Sequence, residues 1–137
     1  MTLGYSTKDP WGNQTGFKDK ILNGEKIHTL REDPKDRWKH GKLIHHVVGN
    51  RTKQREEFRR DTCSGTQKVE IVFNEHDRIE RVNVDYKPIA DWKQLAKNDG
   101  LTPELFERWF VRAAVGILGT QIKVWTGKII HWTNKRY

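Results

Sequence analysis

The highest density of chemically versatile side chains lies between positions 26 and 33 of the 137-residue chain. Within these eight positions the sequence supplies an amine, an imidazole, a hydroxyl, a guanidinium and two carboxylates. They belong, in order, to Lys26, His28, Thr29, Arg31, Glu32 and Asp33. Such groups can bind an anion through charge-assisted hydrogen bonds, or transfer a proton to and from a reacting group. Together with Gly24, the key residues have the spacing G-x-K-x-x-T-x-R.

The backbone between Lys26 and Thr29 decides whether these two side chains can act together. In a regular strand, residues three positions apart point to opposite faces, whereas Thr29 and Arg31 are two apart and share a face. A common pocket for Lys26 and Thr29 therefore requires a bend between Ile27 and His28. The alternative is a solvated strand in which the lysine and the arginine are ordinary surface charges.

A short helix and a chain break are predicted to position this cluster. Thr15 can cap a helix that carries Phe17 and Ile21 on one face, and Asn23-Gly24 is typical of a helix end. The residues that follow are predicted to be extended or bent until Asp33-Pro34 interrupts them.

The rest of the chain is predicted to contain mainly strands. Alternating or β-branched residues predict strands over 42–48, 66–73, 78–86, 121–125 and 128–133, with a Thr126-Gly127 turn between the last two. Helices are predicted over 90–97 and from Thr102-Pro103 along an apolar stripe that reaches Ile117. Residues 35–40 could form one helical turn, and residues 51–60 a loop or an edge strand.

These elements favour the α+β class with mainly β-structure. Five or six strands separated by short turns, without regular strand–helix alternation, are typical of a small antiparallel barrel on which two or three helices pack. We expect a turn-rich segment at 1–14, a single domain at 15–133 and a basic tail at 134–137.

The charge balance favours an anionic partner. The chain has 26 Lys and Arg against 18 Asp and Glu, which gives a net charge of +8 and a pI near 9.7. Nucleic acid or a nucleotide is the commonest partner of so basic a protein, although the charge can also have no specific target. The single cysteine, Cys63, excludes a disulfide framework within one chain, and no apolar run is long enough to cross a bilayer. We therefore predict a cytoplasmic protein without a membrane partner.

The basic run at 51–60 offers contacts for phosphate groups, which position a nucleic acid rather than select its sequence. Arg51, Lys53 and Arg55 are the leading candidates, with Lys42 on the same predicted rim. Trp38 lies among basic residues and is the best candidate for stacking on a base. The alternatives are a solvated basic loop and a tryptophan that packs in the core.

Six histidines do not form a recognisable metal-binding pattern. His45 and His46 are adjacent and point to opposite faces of a strand, and the others lack the spacing of metal ligands. No metal and no cofactor is therefore predicted. His28 is instead a candidate for the lining of a binding cleft.

The segment GEKIHTLRED, the helix FKDKILNG before it and the strand pattern after it resemble an ASCH domain, a relative of the PUA-like barrels. The resemblance covers residues 15 to 132. It implies a PUA-like β-barrel with a cleft for RNA or a modified nucleotide, lined by the G-x-K-x-x-T-x-R motif with Lys26, His28 and Arg31. The chain departs from the family at Gly41-Lys42, where a Gly-Asp pair often opens the next strand.

The same resemblance implies an enzymatic alternative. Some small ASCH members are amidohydrolases that remove an acyl group from N4 of cytidine with a Lys, a Thr and a Glu. Lys26 matches the base and Thr29 the nucleophile, provided that burial or nearby cations depress the pKa of the lysine. No Glu stands at the third position, so Asp99 is the nearest candidate and Glu104 the second. A protein partner in place of a nucleic acid is a third interpretation.

Overall fold

Two β-sheets and three α-helices form the protein in the computed structural model, which describes Met1–Tyr137. The strands are β1 (Thr2–Tyr5), β2 (His28–Arg31), β3 (Leu43–Val48), β4 (Glu56–Thr62), β5 (Gly65–Phe73), β6 (Ile79–Val84), β7 (Lys87–Pro88), β8 (Val115–Gly116) and β9 (Lys123–His131). The helices are α1 (Phe17–Leu22), α2 (Trp92–Asn98) and α3 (Pro103–Val111). The predicted α+β class with mainly β-structure is confirmed.

The smaller sheet has the strand order β1-β3-β4. Strand β1 runs parallel to β3 and places Tyr5 opposite Val48, while β4 pairs antiparallel with β3. The segment expected to be turn-rich therefore begins with a strand. Four residues are too few to show an alternating pattern, and their hydrogen-bond partners lie far along the chain. The basic run predicted as a loop or an edge strand becomes the edge strand β4 in its second half.

The larger sheet has the order β2-β9-β5-β6-β7, and the short β8 also pairs with β9. The strands predicted over 66–73 and 78–86 are confirmed as β5 and β6, which pair antiparallel with Ile71 opposite Val82. Strand β9 pairs antiparallel with both β2 and β5, and its residues Lys128–His131 pair with the motif residues His28–Arg31. Because His28 lies opposite His131, the start of β2 is fixed beside the end of β9.

A glycine inside β9 marks a close approach of two strands rather than the predicted turn. The two strands expected over 121–125 and 128–133 are one continuous strand, Lys123–His131. A Cβ atom on Gly127 would lie 2.4 Å from Cη2 of Trp125 and 2.6 Å from the backbone oxygen of Arg31. Glycine is therefore required for packing at this position, and its resemblance to a Thr-Gly turn is misleading.

Helix α3 begins where its capping residue predicts, whereas the N-cap of α1 is Gly16 and not the predicted Thr15. Thr102 caps α3 by accepting a hydrogen bond from the Leu105 N–H, and α1 buries Phe17 and Ile21 as expected. Helix α3 ends at Val111, however, because residues 115–116 leave it to pair with β9, and Ile117 is exposed. Residues 35–40 form turns and no helix.

One hydrophobic core of 21 buried residues joins the two sheets and the three helices. The sheets are not closed into a barrel, which corrects the predicted antiparallel barrel. Strands β1, β3 and β4 form a sheet that shares no strand pairing with the larger one. None of the three helices is long and apolar enough to cross a membrane.

Candidate functional site

Lys26 lies in the turn between α1 and β2, and only 2% of its surface is exposed. Its backbone N–H donates to the Lys20 carbonyl, and the next N–H, of Ile27, donates to the Asn98 carbonyl. Strand β2 begins only at His28, so the alternation of side chains along a strand does not apply to Lys26. The Lys26 amine donates to Asp99 and makes no hydrogen bond with the Thr29 hydroxyl, whose partner is Arg31.

The Asp99-Gly100 pair forms the wall of the slot that holds the Lys26 side chain. The Lys26 Nζ donates to the backbone carbonyl of Asp99 at 2.7 Å and to its Oδ1 at 3.1 Å. Gly100 has a φ of +84°, and a Cβ there would lie 3.1 Å from Cδ of Lys26. Of the two carboxylates proposed as partners of the lysine, Asp99 is therefore in contact with it. Glu104 is exposed in the first turn of α3.

Burial lowers the pKa of the Lys26 amine, and the Asp99 carboxylate opposes part of that shift. The positive charges of Arg31 and Lys20 lower it further. The amine therefore holds its proton less tightly than an exposed lysine does. A lysine of this kind can serve as a proton acceptor as well as a cation.

Thr29 and Arg31 lie on the same face of β2, as their spacing predicts. The Nε of Arg31 donates to Oγ1 of Thr29 at 3.4 Å, and its Nη2 donates to the Gly4 carbonyl at 2.6 Å. The Tyr5 ring lies 5.4 Å from Cζ of Arg31 and 5.8 Å from Nζ of Lys26. Tyr5 thus stands between the two cations of the motif, and β1 is the element that brings it there.

A buried polar chain behind Tyr5 could not be predicted from the sequence. The Tyr5 hydroxyl and His46 Nδ1 are 2.8 Å apart, and His46 Nε2 lies 2.8 Å from Oδ2 of Asp61. Arg59 pairs with the same carboxylate at 2.8 Å. Burial raises the pKa of the Tyr5 hydroxyl and lowers the pKa of His46. One indication of this chain is present in the sequence: the side chains of His45 and His46 are predicted to point to opposite faces of a strand, and His46 is the buried one.

His28 lies on the inner side of β2 and belongs to a buried network. Its Nε2 is 2.6 Å from the Tyr137 hydroxyl, and its Nδ1 is 3.4 Å from Oδ1 of Asp99. The Tyr137 hydroxyl also accepts a hydrogen bond from the Asn98 amide at 2.8 Å. His28 has no exposed surface. Its place is therefore behind the Lys26–Asp99 pair, outside the lining of the surface grooves described below.

A surface groove of about 650 Å³ opens over Tyr5 and Arg31. We call it the Arg31 groove, and its lining also includes Ser6, Thr7, Lys8, Asn50 and Arg51. Three of its lining residues are cations and none is a carboxylate. Hydroxyl and amide groups complete the lining, so the groove is suited to an anion that accepts several hydrogen bonds.

A second groove, of about 600 Å³, continues from the first, since both are lined by Thr2, Asn50 and Arg51. We call it the Trp38 groove; the cations Lys35 and Arg37 and the carboxylates Glu32 and Asp33 line it, together with Trp38. The indole of Trp38 is 7% exposed and packs in the hydrophobic core. The ring therefore supports the groove from below and offers little surface for stacking.

Three further predicted contacts for phosphate lie outside both grooves. Lys42, Lys53 and Arg55 are exposed, but none of them lines either groove. Lys53 and Arg55 follow Arg51 in the turn before β4. Of the cations predicted to bind nucleic acid, Arg31 and Arg51 thus share one groove, Lys26 is buried beneath it, and the remaining three lie outside it.

No protein-family model, curated protein or solved structure matches this chain. No group of three or more His, Cys, Asp or Glu side chains could hold a metal ion.

Proposed function

We propose that the protein is an ASCH-type domain that binds RNA or a nucleotide, with a phosphate group in the Arg31 groove. The observation that carries the proposal is the lining of this groove, in which Lys8, Arg31 and Arg51 face an open space without any carboxylate. A groove of about 650 Å³ has the size of a small-ligand site. The net charge of +8 adds a long-range attraction for such an anion.

Arg31 supplies the most ordered of the three cationic contacts. Two of its hydrogen bonds, to Gly4 and Thr29, fix the plane of the guanidinium, and the Tyr5 ring packs against it. An arginine held in this way loses little side-chain entropy when it binds a phosphate. Lys8 and Arg51 are exposed and have no carboxylate partner, so they are available to neutralise the remaining charge.

Binding can be tested by fluorescence anisotropy with a labelled single-stranded RNA. The affinity is expected to fall steeply between about 50 and 200 mM salt, since counterions are released from the phosphates. Arg51→Ala should weaken binding by about tenfold. Arg81→Ala is the matched control, because Arg81 is an exposed arginine on β6 that lines neither groove. The proposal would be contradicted by an RNA affinity that does not change with salt concentration, or by equal losses of affinity in Arg51→Ala and Arg81→Ala.

A second candidate function is the hydrolysis of an acyl group from N4 of cytidine. The observation that favours it is the contact between Lys26 and Asp99 in a buried slot, together with the lowered pKa of the amine. Thr29 Oγ1 would attack the acyl carbonyl carbon while Lys26 takes the hydroxyl proton and passes it to the leaving amine. Arg31, whose Nε reaches Thr29, would stabilise the oxyanion, and water would then hydrolyse the acyl-threonine.

The enzymatic candidate is tested by incubating the protein with N4-acetylcytidine and following the release of cytidine. Thr29→Ala should abolish release, whereas Thr29→Ser should retain part of it because a hydroxyl remains. Asp99→Asn should lower the rate if the carboxylate orients the Lys26 amine. No release by the native protein, or equal release by Thr29→Ala, would remove this candidate and leave the binding function in place.

A further inference from the structure

A third depression, of about 450 Å³, lies on the face of the larger sheet. We call it the Tyr86 pocket; Val69, Gly127 and Tyr86 are part of its lining. It shares Glu32, Asp33 and Pro34 with the Trp38 groove, which in turn shares residues with the Arg31 groove. The three depressions therefore form one continuous path over the surface.

Tyr86 occupies a backbone position that disfavours its side chain. Asp85 and Tyr86 form the two-residue turn between β6 and β7, and their φ values are +50° and +68°. Turns of this kind favour Asn-Gly or Asp-Gly, because a bulky residue with positive φ is strained. The Tyr86 side chain nevertheless stands at the second position with 81% of its surface exposed. Backbone strain of this kind clusters at functional sites, which motivates a search for a role of the Tyr86 ring.

The neighbouring residues hold the turn and the ring in place. The Lys68 N–H donates to Oδ1 of Asp85, and the Gln67 amide donates to its Oδ2, both at 3.0 Å. The Lys68 Nζ donates to the Tyr86 hydroxyl at 2.7 Å. An aromatic ring is thus fixed and exposed to solvent beside the pocket, as a stacking surface requires.

The charges of the Tyr86 pocket suit a base rather than a phosphate. Two cations line it: Lys128 is paired with Asp33, at 3.0 Å, and with Asp36, and Lys68 donates its hydrogen bond to the Tyr86 hydroxyl. Glu70 accepts a hydrogen bond from the Asn83 amide at 2.8 Å and keeps further acceptor positions. Glu32 and Asp33 also belong to the lining, so three carboxylates face the pocket. Carboxylates repel a phosphate but accept hydrogen bonds from the exocyclic amine of a base.

We infer that the Tyr86 pocket receives a nucleobase from a single-stranded nucleic acid whose phosphate is held in the carboxylate-free Arg31 groove. The base stacks on Tyr86, and its exocyclic amine donates to Glu70. This inference rests on the proposed binding function and extends it from a single nucleotide to a strand of several nucleotides. Adenine, cytosine and guanine carry such an amine and uracil does not, so the pocket discriminates against uracil.

The test compares labelled oligoadenylate and oligouridylate from two to about ten nucleotides long in anisotropy titrations. Oligoadenylate should gain about tenfold in affinity once it is long enough to reach Tyr86, and oligouridylate should gain less. Tyr86→Gly should remove this gain while raising the unfolding temperature, since glycine relieves the strained backbone. Tyr86→Trp should keep the gain because it keeps a ring.

Two further variants test the stacking on Tyr86 and the hydrogen bond to Glu70 separately. Tyr86→Asn also removes the ring with a residue that tolerates positive φ, so it should behave like Tyr86→Gly. Glu70→Gln should reduce the preference for adenylate over uridylate. If Tyr86→Gly binds long oligoadenylate as tightly as the native protein does, the inference is overturned. Binding sensitive to Arg51→Ala would in that case leave the proposed function standing, whereas no binding at any length would overturn both.

Discussion

The ammonium group of Lys26 lies 3.1 Å from Oδ1 of Asp99 and 2.7 Å from its backbone carbonyl oxygen, with both residues buried. A buried ion pair contributes little net stability relative to apolar residues of the same volume, because both charges lose their hydration. A buried pair with a shifted lysine pKa is compatible with a chemical role as well as with a structural one. It also makes the fold sensitive to the loss of either partner.

Removal of the Asp99 carboxylate should destabilise the protein strongly. Asp99→Ala leaves the buried Lys26 ammonium without its counterion, and the expected loss in free energy of unfolding is about 3–5 kcal/mol. The double variant Lys26→Met/Asp99→Ala should lose less than Asp99→Ala alone, because no unpaired charge remains. Urea titration of the native protein and both variants gives these values. A loss below about 1 kcal/mol for Asp99→Ala would contradict the buried pair.

Alanine substitutions at two glycines with similar φ values distinguish the cost of backbone strain from the cost of steric overlap. Gly24 and Gly100 have φ values of +85° and +84°, but only a Cβ on Gly100 would press against Lys26. Gly24→Ala should cost about 1–2 kcal/mol from the left-handed backbone alone. Gly100→Ala should cost roughly 1–3 kcal/mol more, because the clamped Lys26 side chain cannot move aside. Equal losses of unfolding free energy in the two variants would show that the slot around Lys26 is not tight.

The chemistry of the motif was more predictable than its geometry. Residue types and spacing identified Lys26, Thr29 and Arg31, and the shared face of Thr29 and Arg31 follows from the strand period. The choice of Asp99 came from the resemblance, and the structure brings this residue to Lys26. From the sequence, a bend before His28 was only a condition, because its formation depends on hydrogen bonds from the Lys26 N–H to Lys20 and from the Ile27 N–H to Asn98.

The parts of the site that the sequence missed depend on pairings between distant segments. Tyr5 reaches the motif only because β1 pairs with β3, and a strand of four residues has no detectable period. Tyr86 looked like the last alternating residue of a strand, whereas it lies in the turn after β6. Local patterns therefore identified the motif and Arg51, but not Tyr5 or the other residues that line the Arg31 groove.

The stability of the protein should fall as the pH is lowered, with His131 as one cause. Burial lowers the pKa of His131 to about 3 from its ordinary 6.5, and the positive charge of His28 adds to this effect. Since Gln67 Oε1 accepts from His131 Nε2, the ring is held as the neutral tautomer with Nδ1 unpaired. Below pH 6.5 the unfolded chain binds a proton at this histidine that the folded ring does not. The neutral ring therefore leaves the free energy of unfolding undiminished above pH 6.5, and that free energy falls as the pH is lowered towards 3.

The acid sensitivity can be assigned to this ring by substitution. His131→Gln removes the titrating group, and its free energy of unfolding should vary less with pH than that of the native protein between about pH 7 and 4. His28 and His46, whose pKa values burial also lowers, leave part of the dependence in place. Urea titrations at a series of pH values measure both slopes. Identical slopes would contradict the assignment to His131.

Tyr5 should show separate roles for its hydroxyl and its ring. Tyr5→Phe removes the partner of His46 Nδ1, and a buried polar atom left unpaired should cost about 1–3 kcal/mol of unfolding free energy. RNA binding should remain within about twofold of native, because the ring still packs against Arg31. Tyr5→Leu removes both features and should weaken stability and RNA affinity together. If Tyr5→Phe instead lost binding as severely as Tyr5→Leu, the hydroxyl and not the ring would organise the Arg31 groove.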